Sequence, residues 1–165
     1  MGFSTDAVHA GQKPETLTGA VITPLFQTST YAQTGPGEHR GYEYGRTQNP
    51  TREALEHNIA ALEGGTHGIA FSSGMAAIST ITQLFRSGDH VVSTANVYGG
   101  TYRFFNKIML EFGLRSTWVD TSKLENIVQA LTPQTKMIFI ESPTNPMLVL
   151  SDIARIAELC HDRSL

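Results

Sequence analysis

The chain has 165 residues, 40% of them hydrophobic and 16% charged, with a formal net charge of -3, enough for one domain with a real core and too apolar for a disordered segment. That charge and the lack of any Lys/Arg run argue against nucleic acid or an anionic membrane as partner. With no basic-then-apolar leader and no apolar run near the roughly 18 residues of a span, a cytoplasmic location is expected. Lone Cys160 cannot form an internal disulfide, and no Cys/His spacing suggests a metal site.

Residues 1–50 carry Pro14, Pro24, Pro36 and Pro50 among five glycines and show no sustained period, which reads as an extended arm. Such an arm packs on another subunit or carries binding residues more often than it floats free. Within it, Tyr44 and Arg46 stand two apart, so an extended backbone would turn both to one side, where phenol and guanidinium suit a phosphate. A solvated turn is the plainer reading of the same residues.

A helix is predicted from Asn49 and Pro50, with Leu55, Ile59 and Leu62 on one face and Gly64 and Gly65 as its stop. Residues 51–165 then read as a partial α/β domain. Apolar strand candidates at 67–71, 89–93, 114–119 and 136–140 alternate with amphipathic segments long enough for crossover helices, a rhythm that predicts a parallel sheet. The apolar helix faces are Ile78, Ile81 and Phe85; Tyr102, Phe105, Met109 and Phe112; Leu124, Ile127, Val128 and Leu131; and Ile153, Ile156, Ala157 and Cys160.

Ligands of open α/β sheets lie beyond the carboxyl ends of the strands, so the loops there come first. Ser72, Ser73, Gly74 and Met75 form a small-residue turn into a helix, suited to a phosphate or simply a capped helix start. Tyr98, followed by Gly99 and Gly100, either stacks on a flat ligand or covers the core as a rim aromatic. In Glu141-Ser142-Pro143-Thr144-Asn145-Pro146 two prolines stiffen the loop and fix Asn145, either as a ligand donor or as a partner for backbone groups.

Taken in order, Tyr44-Gly45-Arg46, Asn49-Pro50-Thr51-Arg52, Leu62-Glu63-Gly64-Gly65, Ser73-Gly74-Met75, Tyr98-Gly99-Gly100-Thr101 and Glu141 to Pro146 resemble the cystathionine synthase and lyase family of Cys/Met metabolism. The resemblance runs over about residues 9 to 160. It implies the fold-type I, aspartate aminotransferase-like large domain, here incomplete and preceded by an extended arm. It also implies pyridoxal 5'-phosphate as cofactor and chemistry on sulfur amino acids or activated homoserines, by elimination or replacement at the β or γ carbon.

By the same resemblance Ser73, Gly74 and Met75 bind the cofactor phosphate, Tyr98 stacks on its ring and is a candidate acid or base near the leaving group, and Asn145 bonds its phenolic oxygen. Tyr44 and Arg46 reach the phosphate in a neighbouring subunit, which implies a homodimer or homotetramer acting on a small amino-acid substrate. The family's cofactor-anchoring lysine is expected beyond Leu165, since Lys13, Lys107, Lys123 and Lys136 lie in unlike surroundings. The alternative is a non-catalytic fragment that serves as an assembly or binding module. A nucleotide-binding domain would need a Gly-x-Gly-x-x-Gly or Walker-type turn, and no strand candidate is followed by one.

Overall fold

The computed structural model describes residues 2–165, which divide into two units, 2–71 and 72–165. In the first, α1 (Phe3–His9) is followed by forty residues with little regular structure and then α2 (Pro50–Leu62). Asn49 caps α2: its side chain accepts from the backbone N–H of Thr51 and of Arg52, while Pro50 fills a first-turn position that needs no donor. The irregular chain is tied down by side chains of this one helix and its cap. Asn49 Nδ2 donates to the Phe26 carbonyl at 2.9 Å, Thr51 Oγ1 donates to the Pro24 carbonyl at 2.9 Å, and Asn58 Nδ2 reaches the Ala10 carbonyl at 2.8 Å.

Two expectations for this unit need correction. The arm contains a helix, α1, which has no side-chain cap and no buried residue; its end is held by Asn58, a partner 48 positions away. The strand expected at 67–71 is absent. Its backbone finds no strand partner among the described residues, Ile69 stays 74% exposed, and Ala70 N–H bonds the Glu56 carboxylate instead. An apolar run becomes a strand only where a neighbour completes its hydrogen bonds.

In the second unit three parallel strands, β1 (His90–Thr94), β2 (Arg115–Val119) and β3 (Thr135–Phe139), lie in the order β2-β1-β3. Each falls within a residue or so of its sequence expectation, and the predicted parallel sheet is observed. Successive strand residues face opposite ways, so Val91 and Val92 of central β1 each seed a separate apolar cluster. Val91 packs with Phe105 and Leu114, joined by Ile78 and Phe85. Val92 packs with Ile127 and Ile156, joined by Leu124, Ile138 and Leu159. Helix α3 (Gly74–Thr82) and the continuation of α4 (Gly99–Arg103) thus serve the first cluster's face, and α5 (Leu124–Ala130) and α6 (Ile153–Arg163) the second.

The helix begun by α4 continues as a π-helical segment over Phe104–Met109, in which Leu110 N–H bonds the Phe105 carbonyl at 3.0 Å. The wider turn lets Phe104, Phe105 and Met109 all reach the first cluster. At the amino end of the sheet, buried His90 spans all three strands, its ring nitrogens bonded to Thr135 Oγ1 and Thr117 Oγ1 at 2.8 Å each. No helix of the described residues is long and apolar enough to cross a membrane.

Candidate functional site

Three sequence-predicted segments of the second unit meet beyond the carboxyl ends of β1 and β3. Ser73 is the N-cap of α3, its Oγ accepting from Ala76 N–H at 3.1 Å. The N–H groups of Gly74 and Met75 find no partner among the described residues. Apart from its chain neighbours and its own helix backbone, no atom lies within 4 Å of where a Gly74 Cβ would stand. Two free donors on a nine-residue helix with open space before them suit a phosphate oxygen.

The Met75 side chain turns back to α4, where its sulfur receives the Thr101 hydroxyl at 3.8 Å. That contact sets the small-residue turn beside the loop carrying Tyr98, a residue 57% exposed whose side chain forms no hydrogen bond among the described residues. The Tyr98 backbone N–H is held by both oxygens of Glu141, at 3.0 and 3.2 Å. Asn96 Nδ2 in the same loop donates to Thr144 Oγ1 at 3.1 Å.

Thr144, fully buried, is the anchor of the loop after β3. Its Oγ1 accepts from Val149 N–H, its own N–H bonds the Val149 carbonyl, and its carbonyl accepts from Leu148 N–H. Asn145 beside it is exposed, with no side-chain hydrogen bond among the described residues. Of the two readings of Asn145, the one in which it serves backbone groups finds no such bond among the described residues, because Thr144 makes those bonds instead.

A chain of buried hydroxyls runs beneath these loops, Thr94 Oγ1 to Thr121 Oγ1 at 2.9 Å and on to Ser151 Oγ at 2.7 Å. Thr94 Oγ1 also accepts from Glu141 N–H at 3.3 Å, so the start of the β3 loop is fixed from below. The sequence motifs contain Glu141 and Thr144 without a role for either, and Asn96 lies just before the Tyr98 motif. Each stands two to five residues past a strand end, the position that could have singled them out.

Tyr44 and Arg46 belong to the first unit. They sit in a turn rather than the extended backbone expected, yet still share a side: the Arg46 guanidinium carbon lies 4.9 Å from the Tyr44 ring centre. Arg46 forms no ion pair among the described residues. Arg52 fixes the turn, donating to the Thr47 carbonyl at 2.7 Å and to the Gly45 carbonyl at 3.3 Å. Nearby, Tyr42 donates to Glu53 at 2.6 Å, and that carboxylate, with some burial, pushes the phenol up to about 12.

The model of the Cys/Met metabolism PLP-dependent enzymes matches residues 4–165. A protein described as probable cystathionine gamma-synthase, from Herpetosiphon aurantiacus, is 49% identical over 99% of this chain and 51% of its own length. The cystathionine beta-lyase of Coxiella burnetii is 51% identical over 99% of this chain and 42% of its own. The crystal structure of cystathionine gamma-lyase from Lactobacillus plantarum complexed with L-serine superposes with a TM-score of 0.91 at 46% identity, covering 100% of this chain and 43% of that one. The chain thus spans about half the length, or less, of the relatives it matches.

Proposed function

This chain belongs to the Cys/Met metabolism PLP-dependent enzymes, and on that premise we propose that it holds the phosphate and ring of pyridoxal 5'-phosphate for a cystathionine synthase or lyase reaction. The observation that carries the proposal is the start of α3, where the free N–H groups of Gly74 and Met75 face open space beside the Tyr98 loop. Bonds from such donors to a dianion are charge-assisted, worth roughly 1.5–3 kcal/mol each. Because Ser73 Oγ accepts from Ala76, its own proton is free to join them.

When bound, the cofactor supplies an electron sink at the substrate's α-carbon. The exposed Tyr98 ring offers a face for stacking, and its hydroxyl can hold or deliver a proton at the leaving group. The free amide of Asn145 donates to the cofactor's phenolic oxygen. The substrate is a sulfur-containing amino acid or an activated homoserine. Names carrying three different activities occur among relatives of similar identity, which supports the class and favours no one member.

Tyr44 and Arg46 are the arm's contribution, reaching the phosphate in a neighbouring subunit of a homodimer or homotetramer in the cytoplasm. A guanidinium without an ion pair and the exposed Leu17, Val21, Ile22 and Leu25 of the same arm support that reading. The exposed apolar side chains equally favour the second reading, an assembly module without turnover.

The test is a titration of the chain with pyridoxal phosphate, followed by absorbance and induced circular dichroism. Saturable binding is expected, weakened about tenfold by Ser73→Ala, the cost of one such bond, and displaced by inorganic phosphate. No binding by the intact chain would overturn the cofactor role and leave the assembly module.

A further inference from the structure

Tyr98 is exposed, yet its ring is not free. It folds back over the first turn of α4, so close to Gly100 that a Cβ there would overlap Cε1 and stand 2.9 Å from Cδ1. The far end of an exposed side chain can swing away from such a clash, so a larger residue at 100 would move the ring before it disturbed the helix. Gly100 therefore bears on where the ring lies.

A ring position also needs a fixed backbone, and this one is fixed from across the sheet. Both oxygens of Glu141 accept the Tyr98 N–H. Glu141 is itself held, its N–H on Thr94 Oγ1. Among the described residues no Lys or Arg pairs with the Glu141 carboxylate; its recorded partner is this one amide. A half-buried carboxylate spent on a single backbone N–H, at the root of the aromatic the proposed function uses, points to orientation.

We propose that Glu141 and Gly100 are the positioning residues of Tyr98, Glu141 pinning its backbone and Gly100 clearing the space its ring occupies. The pair sets the ring's place for stacking and its hydroxyl's approach to the leaving group, and so rests on the cofactor reading above. Both residues act through Tyr98.

The experiment is NMR on the 165-residue chain without cofactor, reading the Gly100 Hα shifts and the exchange rate of the Tyr98 amide, followed by the pyridoxal phosphate titration. In the parent chain the ring should shift Gly100 Hα upfield and the amide should be protected. Glu141→Ala should raise amide exchange about tenfold, the loss of one charge-assisted bond, and return Gly100 Hα towards ordinary glycine values. Glu141→Gln, which keeps an acceptor oxygen, should recover most of both. Gly100→Ala should move the Tyr98 ring resonances while leaving its amide protected.

Cofactor affinity should fall several-fold in Glu141→Ala and Gly100→Ala and recover in Glu141→Gln, a rescue that loss of general stability would not give. An unshifted Gly100 in the parent chain, or unchanged ring and amide signals in both Glu141→Ala and Gly100→Ala, would overturn the positioning role. So would positioning signals that change as expected while cofactor affinity stays constant across the variants. A parent chain with the NMR signature but no cofactor binding would instead remove the cofactor reading, leaving the Glu141–Tyr98–Gly100 geometry confirmed as structure but without that function.

Discussion

The two units satisfy their backbones by opposite means. In Ser72–Leu165 neighbouring strands and helix turns supply most partners, and apolar side chains close both faces of the sheet. In 2–71 the long irregular stretch has one isolated strand bridge, Thr30 with Tyr44, and scattered turns such as Thr34 N–H to the Glu38 carbonyl, and side chains of α2 and its cap tie it down at Ala10, Pro24, Phe26 and Thr47. A chain without periodicity can thus be ordered, provided polar side chains of a neighbouring helix stand in for the missing ladder.

The difference predicts where each unit breaks. The largest effect belongs to the apolar core: Phe105→Ala should cost about 3–5 kcal/mol in urea unfolding followed at Trp118, because Phe105 is nearly inaccessible and packs edge-on against that indole. A loss under 1 kcal/mol would mean that the cluster collapses to fill the gap. Next comes Arg52→Ala, expected to cost about 2 kcal/mol and to open the 44–48 turn in hydrogen exchange, since the fork holds the Gly45 and Thr47 carbonyls together. Arg52→Lys should rescue little, an ammonium lacking that fork.

Residues of this kind mark what was legible in the sequence. β1, β2 and β3 could be read because each combines an apolar run with flanking helices of matching period. The run at 67–71 has the same local character, but pairing is a property of a neighbour, and none lies beside it among the described residues. Asn58 holding Ala10, and Glu141 holding Tyr98, link positions more than forty apart; no window of periodicity contains both ends. The small-residue turn at Ser73 was readable because cap, glycine and helix are contiguous.

Two smaller effects separate the units by pH. Tyr42 keeps its proton in the folded arm unit until about 12, whereas an unfolded phenol loses it near its ordinary value of 10.0. Its contribution is therefore complete below pH 10 and disappears as pH rises through that window, a loss of about 1 kcal/mol once solvent screening is allowed for. Tyr42→Phe should flatten arm stability over the same range, measured by exchange of the 42–53 segment.

The smallest effect is at His90, whose burial lowers its pKa below 6.5. Stability of the sheet unit is then complete above pH 6.5 and falls as pH drops through the folded value, because the unfolded ring takes a proton first. The effect is small because both threonine hydroxyls can accept from a doubly protonated ring, so only desolvation opposes its charging. His90→Gln should remove the acid slope; an unchanged slope would assign it to carboxylates elsewhere.

The π-helical segment Phe104–Met109 gives the chain a store of length. It holds one more residue than an α-helix would need to cover the same rise, and it lies after Arg103 and before β2. A single-residue deletion within it would let the helix rewind to ordinary α pitch, keeping Tyr98 through Arg103 in place and leaving the side chains that follow on nearly the same face. The segment is thus a length buffer: one residue can be lost there while the turns on either side keep their faces and the loop that carries Tyr98 is untouched.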